Sequence, residues 1–206
     1  MTRLPFGILA VMGLVLVIEA ALTGADYGLW GTPIWRFVAF LLGAFNPAYL
    51  SGNPTAWAGQ AWGMFLTHPF LHISFVHMAS NMLTLYLLWY LLRGMSQRLF
   101  LGIYAISAIG GALAFALLAP AGTTMTGASG AISGLAAVWV SYEFSFMNEG
   151  QILYLRRKRI LVLIGLLVVT VGAHAVYSTS TAWQTHLGGA IAGLALTVLV
   201  KRPQKP

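Results

Sequence analysis

Long apolar runs alternate with short basic or small-polar breaks along most of the chain. A run of roughly 17 to 25 apolar residues can cross the hydrocarbon of a bilayer as a helix, the conformation that satisfies every backbone polar group where water is absent. The pattern predicts six such helices, at about 4–23, 72–92, 99–121, 127–146, 160–177 and 184–200. One long connection remains, about 24–69, and it carries Trp30, Trp35, Trp57 and Trp62, aromatics that favour the membrane interface. Gly31, Pro33, Pro47, Gly52 and Pro54 break it up, so it is expected to form short amphipathic pieces lying at the bilayer surface. No soluble second domain, tandem repeat or low-complexity tract interrupts the pattern, and residues 1–206 read as a single all-α membrane domain.

Composition agrees: 59% of residues are hydrophobic and 7% charged, against roughly 25% charged in a soluble domain. Charge fixes the orientation. With a cytoplasmic N-terminus, Arg3, then Arg93 and Arg98, then Arg156, Arg157, Lys158 and Arg159, then Lys201, Arg202 and Lys205 all lie inside. Arg36 is the one basic residue outside, as the positive-inside rule requires, and both termini are expected in the cytoplasm. The net charge of +7 does not point to nucleic acid, because these residues sit between and beyond the apolar segments instead of on one folded basic face. Arg3 before an apolar run ending near Ala20 and Ala21 also fits a cleaved signal peptide. Its removal would leave five helices and place the basic tail outside, so a first span is the better reading. The chain carries no long soluble domain and no transit peptide, which points to a bacterial inner membrane.

Cysteine is absent, which excludes disulfides, a thiolate nucleophile and sulfur-ligated metal. Polar residues inside membrane helices are costly and serve either function or packing. The predicted topology puts His77 and Asn81, Ser129, and His186 in the outer leaflet together. His77 and Asn81 are four apart and share one helix face, as a pair of donors for a developing oxyanion or as an interhelical contact. Ser129, in Gly127-Ala128-Ser129-Gly130, opens the fourth helix after Thr123, Thr124 and Thr126. It reads as a nucleophile beside unpaired helix N–H groups, or as small-residue packing. His186 opens the sixth helix, with Gly189 and Gly193 on its face; Gly130 and Gly134 match them after Ser129. Close approach of the two glycine faces would bring serine and histidine together, with a neutral imidazole as base.

Other polar residues fit catalysis less well. Glu143 is fourteen residues past Ser129, about 21 Å along a helix, and cannot orient the histidine. Glu19 lies near the outer end of the first helix, and Asp26 falls in the outer loop. No third triad member is evident, so a Ser-His dyad is the economical reading. His68 and His72 are expected at or above the outer face, in solvent contact or as caps. His174 remains a second candidate base by depth, without a glycine face. A metal site is disfavoured, since no paired-histidine zinc motif occurs and Pro69 interrupts the His68, His72, His77 series.

These residues resemble those of the rhomboid intramembrane serine proteases. The likeness spans Phe65 to about Gly193. It rests on Phe70-Leu71-His72 leading to His77-Met78-Ala79-Ser80-Asn81, on Gly127-Ala128-Ser129-Gly130 with Gly134, and on His186-Leu187-Gly188-Gly189 with Gly193. The resemblance implies a six-transmembrane-helix bundle with a water-filled cavity opening outward and a Ser129–His186 catalytic dyad. Oxyanion contacts would come from His77, Asn81 and the Ser129 backbone. It also implies that the partners are the lipid bilayer and membrane proteins cut in a locally unstable transmembrane helix, at small residues near the outer face, with no cofactor, no metal and no nucleic acid. Two departures stand out. Many members have Trp-Arg in the first outer loop, where this chain reads Trp62-Gly63-Met64, and many carry an aromatic four residues after the nucleophile, where Ser133 stands. An inactive rhomboid-like binder of transmembrane helices is one rival, against which the joint presence of Ser129, His186, His77 and Asn81 argues. A small transporter is the other, and it would show inverted repeats with matching interrupted helices.

Overall fold

The computed structural model describes residues 5–145 and 182–197. Helices form on the apolar runs: α1 (Phe6–Asp26), α2 (Ile34–Gly43), α3 (Gln60–Thr67), α4 (Phe75–Leu91), α5 (Gln97–Leu118), α6 (Ser129–Ser145) and α7 (Trp183–Leu196). Among the described residues α1 and α5 are long and apolar enough to cross a membrane, and Gln60–Phe70 with Phe75–Leu91 would make a third span, bent by 80°. The expected span at 160–177 lies outside the described residues. Local signals set the ends. Ser74 Oγ accepts from the His77 N–H at the start of α4, and Ser96 Oγ accepts from the Leu99 N–H at the start of α5. Helix α5 stops at Leu118, short of the expected 121, because Ala119 precedes Pro120 and takes an extended conformation. The outer connection is built of short pieces as expected: α2, α3, and 3₁₀ turns at Pro47–Ser51 and His68–Phe70.

Each long helix buries one stripe. In α5 the stripe is Phe100, Ile103, Tyr104, Ser107, Ala108, Gly111, Ala112 and Phe115, steps of three and four that keep one face inward. Met78, Met82, Leu85 and Leu88 of α4, Ala131, Leu135 and Val138 of α6, and Ile8 and Val15 of α1 share one buried core with its Phe100, Ile103, Tyr104 and Ala108. The outward faces are apolar too, with Leu83, Leu87, Ile106, Leu113 and Leu117 exposed. Helices apolar on both faces are those of a protein whose solvent is lipid.

Helix α7 packs between α5 and α6 with almost no side chain in between. A Cβ added at Gly189 would collide with the Gly130 carbonyl, one at Gly193 with the Gly134 carbonyl, and one at Gly188 with Gly110 O and Ala114 Cβ. The expected pairing of Gly130 and Gly134 with Gly189 and Gly193 is therefore present, and Gly110 adds a second such contact on the neighbouring face of α7, at Gly188.

The outer pieces are tied down by polar bonds instead. Phe45 and Met125 exchange backbone hydrogen bonds, both 2.9 Å, joining the outer connection to the loop before α6. Glu19, 1% exposed within α1, pairs with Arg36 of α2 at 2.9 Å, and Arg36 also meets Asp26 at 2.7 Å. Asp26 thus closes α1 instead of lying in the loop. Burial disfavours the Arg36 charge, but the hydrogen bonds and charges of Glu19 and Asp26 outweigh it and hold its pKa above the usual arginine value. Removing one member of such a buried pair typically costs about 3–5 kcal/mol, because the other charge is left uncompensated.

Candidate active site

Ser129 is the first residue of α6 and is almost fully buried. The chain reaches it through Gly127, whose φ of +111° is open to glycine and strained for any other residue. The Gly127 N–H donates to the His68 carbonyl at 2.9 Å, and the Ala128 carbonyl accepts from Ile132 as the helix begins. The first N–H groups of a helix have no carbonyl one turn back, so they are donors beside the Ser129 hydroxyl.

His77 and Asn81 sit one turn apart on the buried face of α4 and both reach Gly127. A Cβ placed there would lie 2.8 Å from His77 Cε1, 3.1 Å from His77 Nε2 and 3.5 Å from Asn81 Nδ2. Glycine is thus required twice over, by its backbone angle and by the two side chains against it. The Asn81 amide nitrogen is buried and has no hydrogen-bond acceptor among the described residues. Leaving a buried donor unmet is costly, and such groups concentrate where function needs them.

His186 lies in the first turn of α7, half-buried. Its neighbour Thr185 is 1% exposed and wedged between helices. A Cβ on Gly130 would come 2.6 Å from Thr185 Cγ2, and the Thr185 hydroxyl donates to Met125 Sδ. The residue before His186 therefore touches both the residue after Ser129 and the loop that leads into it. Sequence-predicted positions on α4, α6 and α7 converge at one end of the bundle. His174, the second candidate base, lies outside the described residues. Helix α6 runs unbroken from Ser129 through Glu143, so their separation of about 21 Å along the helix stands.

His68 and His72 depart from expectation. Both are buried, at 1% and 0% exposure, where solvent contact or capping was expected. The 80° bend before α4 is the reason: it folds this turn under the outer connection instead of leaving it above the helix ends. His68 Nδ1 donates to the Met64 carbonyl at 2.8 Å, which fixes the ring while its own carbonyl holds Gly127. The His72 ring meets the His77 ring edge-on, centroids 5.1 Å apart.

The two departures from the family pattern also have local explanations. A Cβ on Gly63 would collide with the Trp57 ring, and the Trp57 indole donates to the Leu42 carbonyl at 2.9 Å. A glycine after Trp62 is what lets that ring lie across α3. Ser133 turns its hydroxyl back to the Ser129 carbonyl at 2.8 Å, filling the position with a hydrogen bond instead of a ring. Sequence reasoning missed the Arg36 cluster. A signal for it existed: Arg36 is the one basic residue between Arg3 and Arg93, and Glu19, Thr23 and Asp26 end the first apolar run.

Compared with protein-family models, residues 57–203 match the Rhomboid domain. The matched stretch contains His77, Asn81, Ser129 and His186 and begins after α1 and α2. Among curated proteins none matches.

Proposed function

The chain belongs to the rhomboid family, and from that premise we propose that it is an intramembrane serine endopeptidase that cuts transmembrane segments of membrane proteins with a Ser129–His186 dyad. Ser129 Oγ attacks the scissile carbonyl carbon while the His186 imidazole takes its proton. The oxyanion accepts hydrogen bonds from His77, Asn81 and the first N–H groups of α6. The tetrahedral intermediate collapses, the C–N bond breaks, and His186 gives its proton to the leaving amine. Water then attacks the acyl-enzyme, again with His186 as base, and Ser129 is regenerated. Every atom and proton is supplied by the chain, the substrate and water, so no cofactor enters.

The observation that carries this reading is the meeting of His77 and Asn81 at Gly127, two positions before Ser129. A helix-binding protein without chemistry has no need of buried donors aimed at the entrance to a serine. The glycine contacts of α7 with α6 add support, since they bring the first turn of α7 against the first turn of α6. The buried, apolar setting strengthens each donor, because competing water is excluded. The substrate class is a transmembrane helix that unwinds near the outer face, in a bacterial inner membrane.

The test is cleavage of a labelled single-span substrate panel by the full chain in liposomes. Wild type should release two fragments, and Ser129→Ala should release none while keeping the same helical circular dichroism. Equal cleavage by folded Ser129→Ala would refute the assignment.

A further inference from the structure

The Arg36 guanidinium uses every one of its N–H groups. Nε donates to Asp26 Oδ2 at 2.7 Å; Nη1 donates to Glu19 Oε2 at 3.1 Å and to the His72 carbonyl at 2.6 Å; Nη2 donates to Glu19 Oε1 at 2.9 Å and Thr23 Oγ1 at 3.2 Å. The Thr23 hydroxyl in turn donates to Glu19 Oε1 at 2.8 Å. Four contacts fix the cation to α1, and the fifth reaches across to the bend before α4. That fifth contact falls on the residue whose ring packs against His77. A planar guanidinium gripped on one carboxylate by both terminal nitrogens has little freedom left, so the carbonyl it holds is fixed with it.

We propose that Arg36, locked by Glu19 and Asp26, is a positioning residue for His77: it holds the His72 carbonyl at the bend, and the His72 ring then sets the His77 imidazole against Gly127. The proposal rests on the protease reading, in which His77 stabilises the oxyanion. Arg36 touches no reacting atom and acts through two intervening contacts. Its carbonyl partner lies two residues before Ser74, whose hydroxyl caps the His77 N–H at the start of α4, so a shift at His72 displaces both the ring pair and the first turn. The cluster's charged members, Glu19, Asp26 and Arg36, lie in α1 and α2, before the stretch that matches the family model, and the carbonyl they hold lies within it. A simple staple between α1 and α2 would need Glu19 and Asp26, but not a bond to the His72 carbonyl.

The experiment uses the full chain in detergent, with ¹³C,¹⁵N-labelled histidine and the His77 ring signals assigned by loss in His77→Asn. Arg36→Gln and Glu19→Gln should each move the His77 ring resonances and lower kcat about tenfold or more at unchanged KM, the loss expected when a donor is misplaced by a fraction of an ångström. Arg36→Lys, which keeps the charge but not the fork, should recover only part of both. Asp26→Asn, at the more exposed arm of the cluster, is the milder probe should the buried variants fail to fold, and it should shift the His77 signals in the same direction by a smaller amount. Unchanged His77 resonances and kcat in folded Arg36→Gln or Asp26→Asn, with only a lowered melting temperature, would make the cluster a staple and overturn the proposal. If wild type shows no cleavage at all, the protease reading fails, while the ring resonances still report whether Arg36 sets His77.

Discussion

Around Ser129 the structure is held by what side chains leave out, and around His77 by what they reach. Helix α6 and helix α7 approach through Gly130, Gly134, Gly189 and Gly193, where a single methyl group would strike a backbone carbonyl. The start of α4 is placed by a capping serine, an edge-on histidine pair and a guanidinium anchored some forty residues away in sequence. In lipid the first device suits helices that must touch along their length, because there is no hydrophobic drive between them and close contact supplies dispersion energy. The second suits a bend, where a backbone carbonyl is exposed and needs a donor. The difference teaches that the proposed nucleophile and base depend on shape, and the proposed oxyanion donors on charge and hydrogen bonding, so the two halves should fail in different ways.

The largest effect should come from thickening the glycine seam. Gly189→Ala or Gly193→Ala must push α7 off α6, an overpacking cost of about 1–3 kcal/mol that also separates His186 from Ser129, so cleavage should fall by about a hundredfold or more. Gly13→Ala and Gly102→Ala, where an added Cβ meets nothing within 4 Å, should leave rate and melting temperature as they are. Equal losses at all four positions would remove the seam's special standing. Next in size, His77→Ala should lower kcat by about 10²–10³ with KM little changed, as for loss of one oxyanion donor. A matching rise in KM instead would assign His77 to substrate binding. Smallest, Ser133→Ala removes one hydrogen bond to the Ser129 carbonyl, a change of about 1 kcal/mol in stability, and cleavage should stay within about threefold; a larger loss would show that this bond orients the serine.

What the sequence made legible follows the same division. Helical period, apolar length and glycine spacing act within a turn or two, and they located α1, α4, α5, α6 and α7 as well as the pairing of Gly130 with Gly189. Ser129, His77 and Asn81 fall where those local rules put them. The burial of His68 and His72 was not legible, because it depends on an 80° bend whose partners come from α1 and α2. Nor was the Phe45–Met125 bridge, which joins segments some eighty residues apart with no shared pattern in either. Arg36 stands between the two cases: its charge and the acidic residues ending the first apolar run could be read, while the backbone carbonyl it also holds leaves no mark on the sequence.

The most direct test of the central claim is reaction of the detergent-purified chain with a fluorophosphonate, which reports an activated serine without needing a substrate. Wild type should be labelled at Ser129, and both Ser129→Ala and His186→Ala should lose the label while remaining folded. No labelling of folded wild type would contradict the account, and labelling that survives His186→Ala would contradict the dyad and send the search for the base to His174.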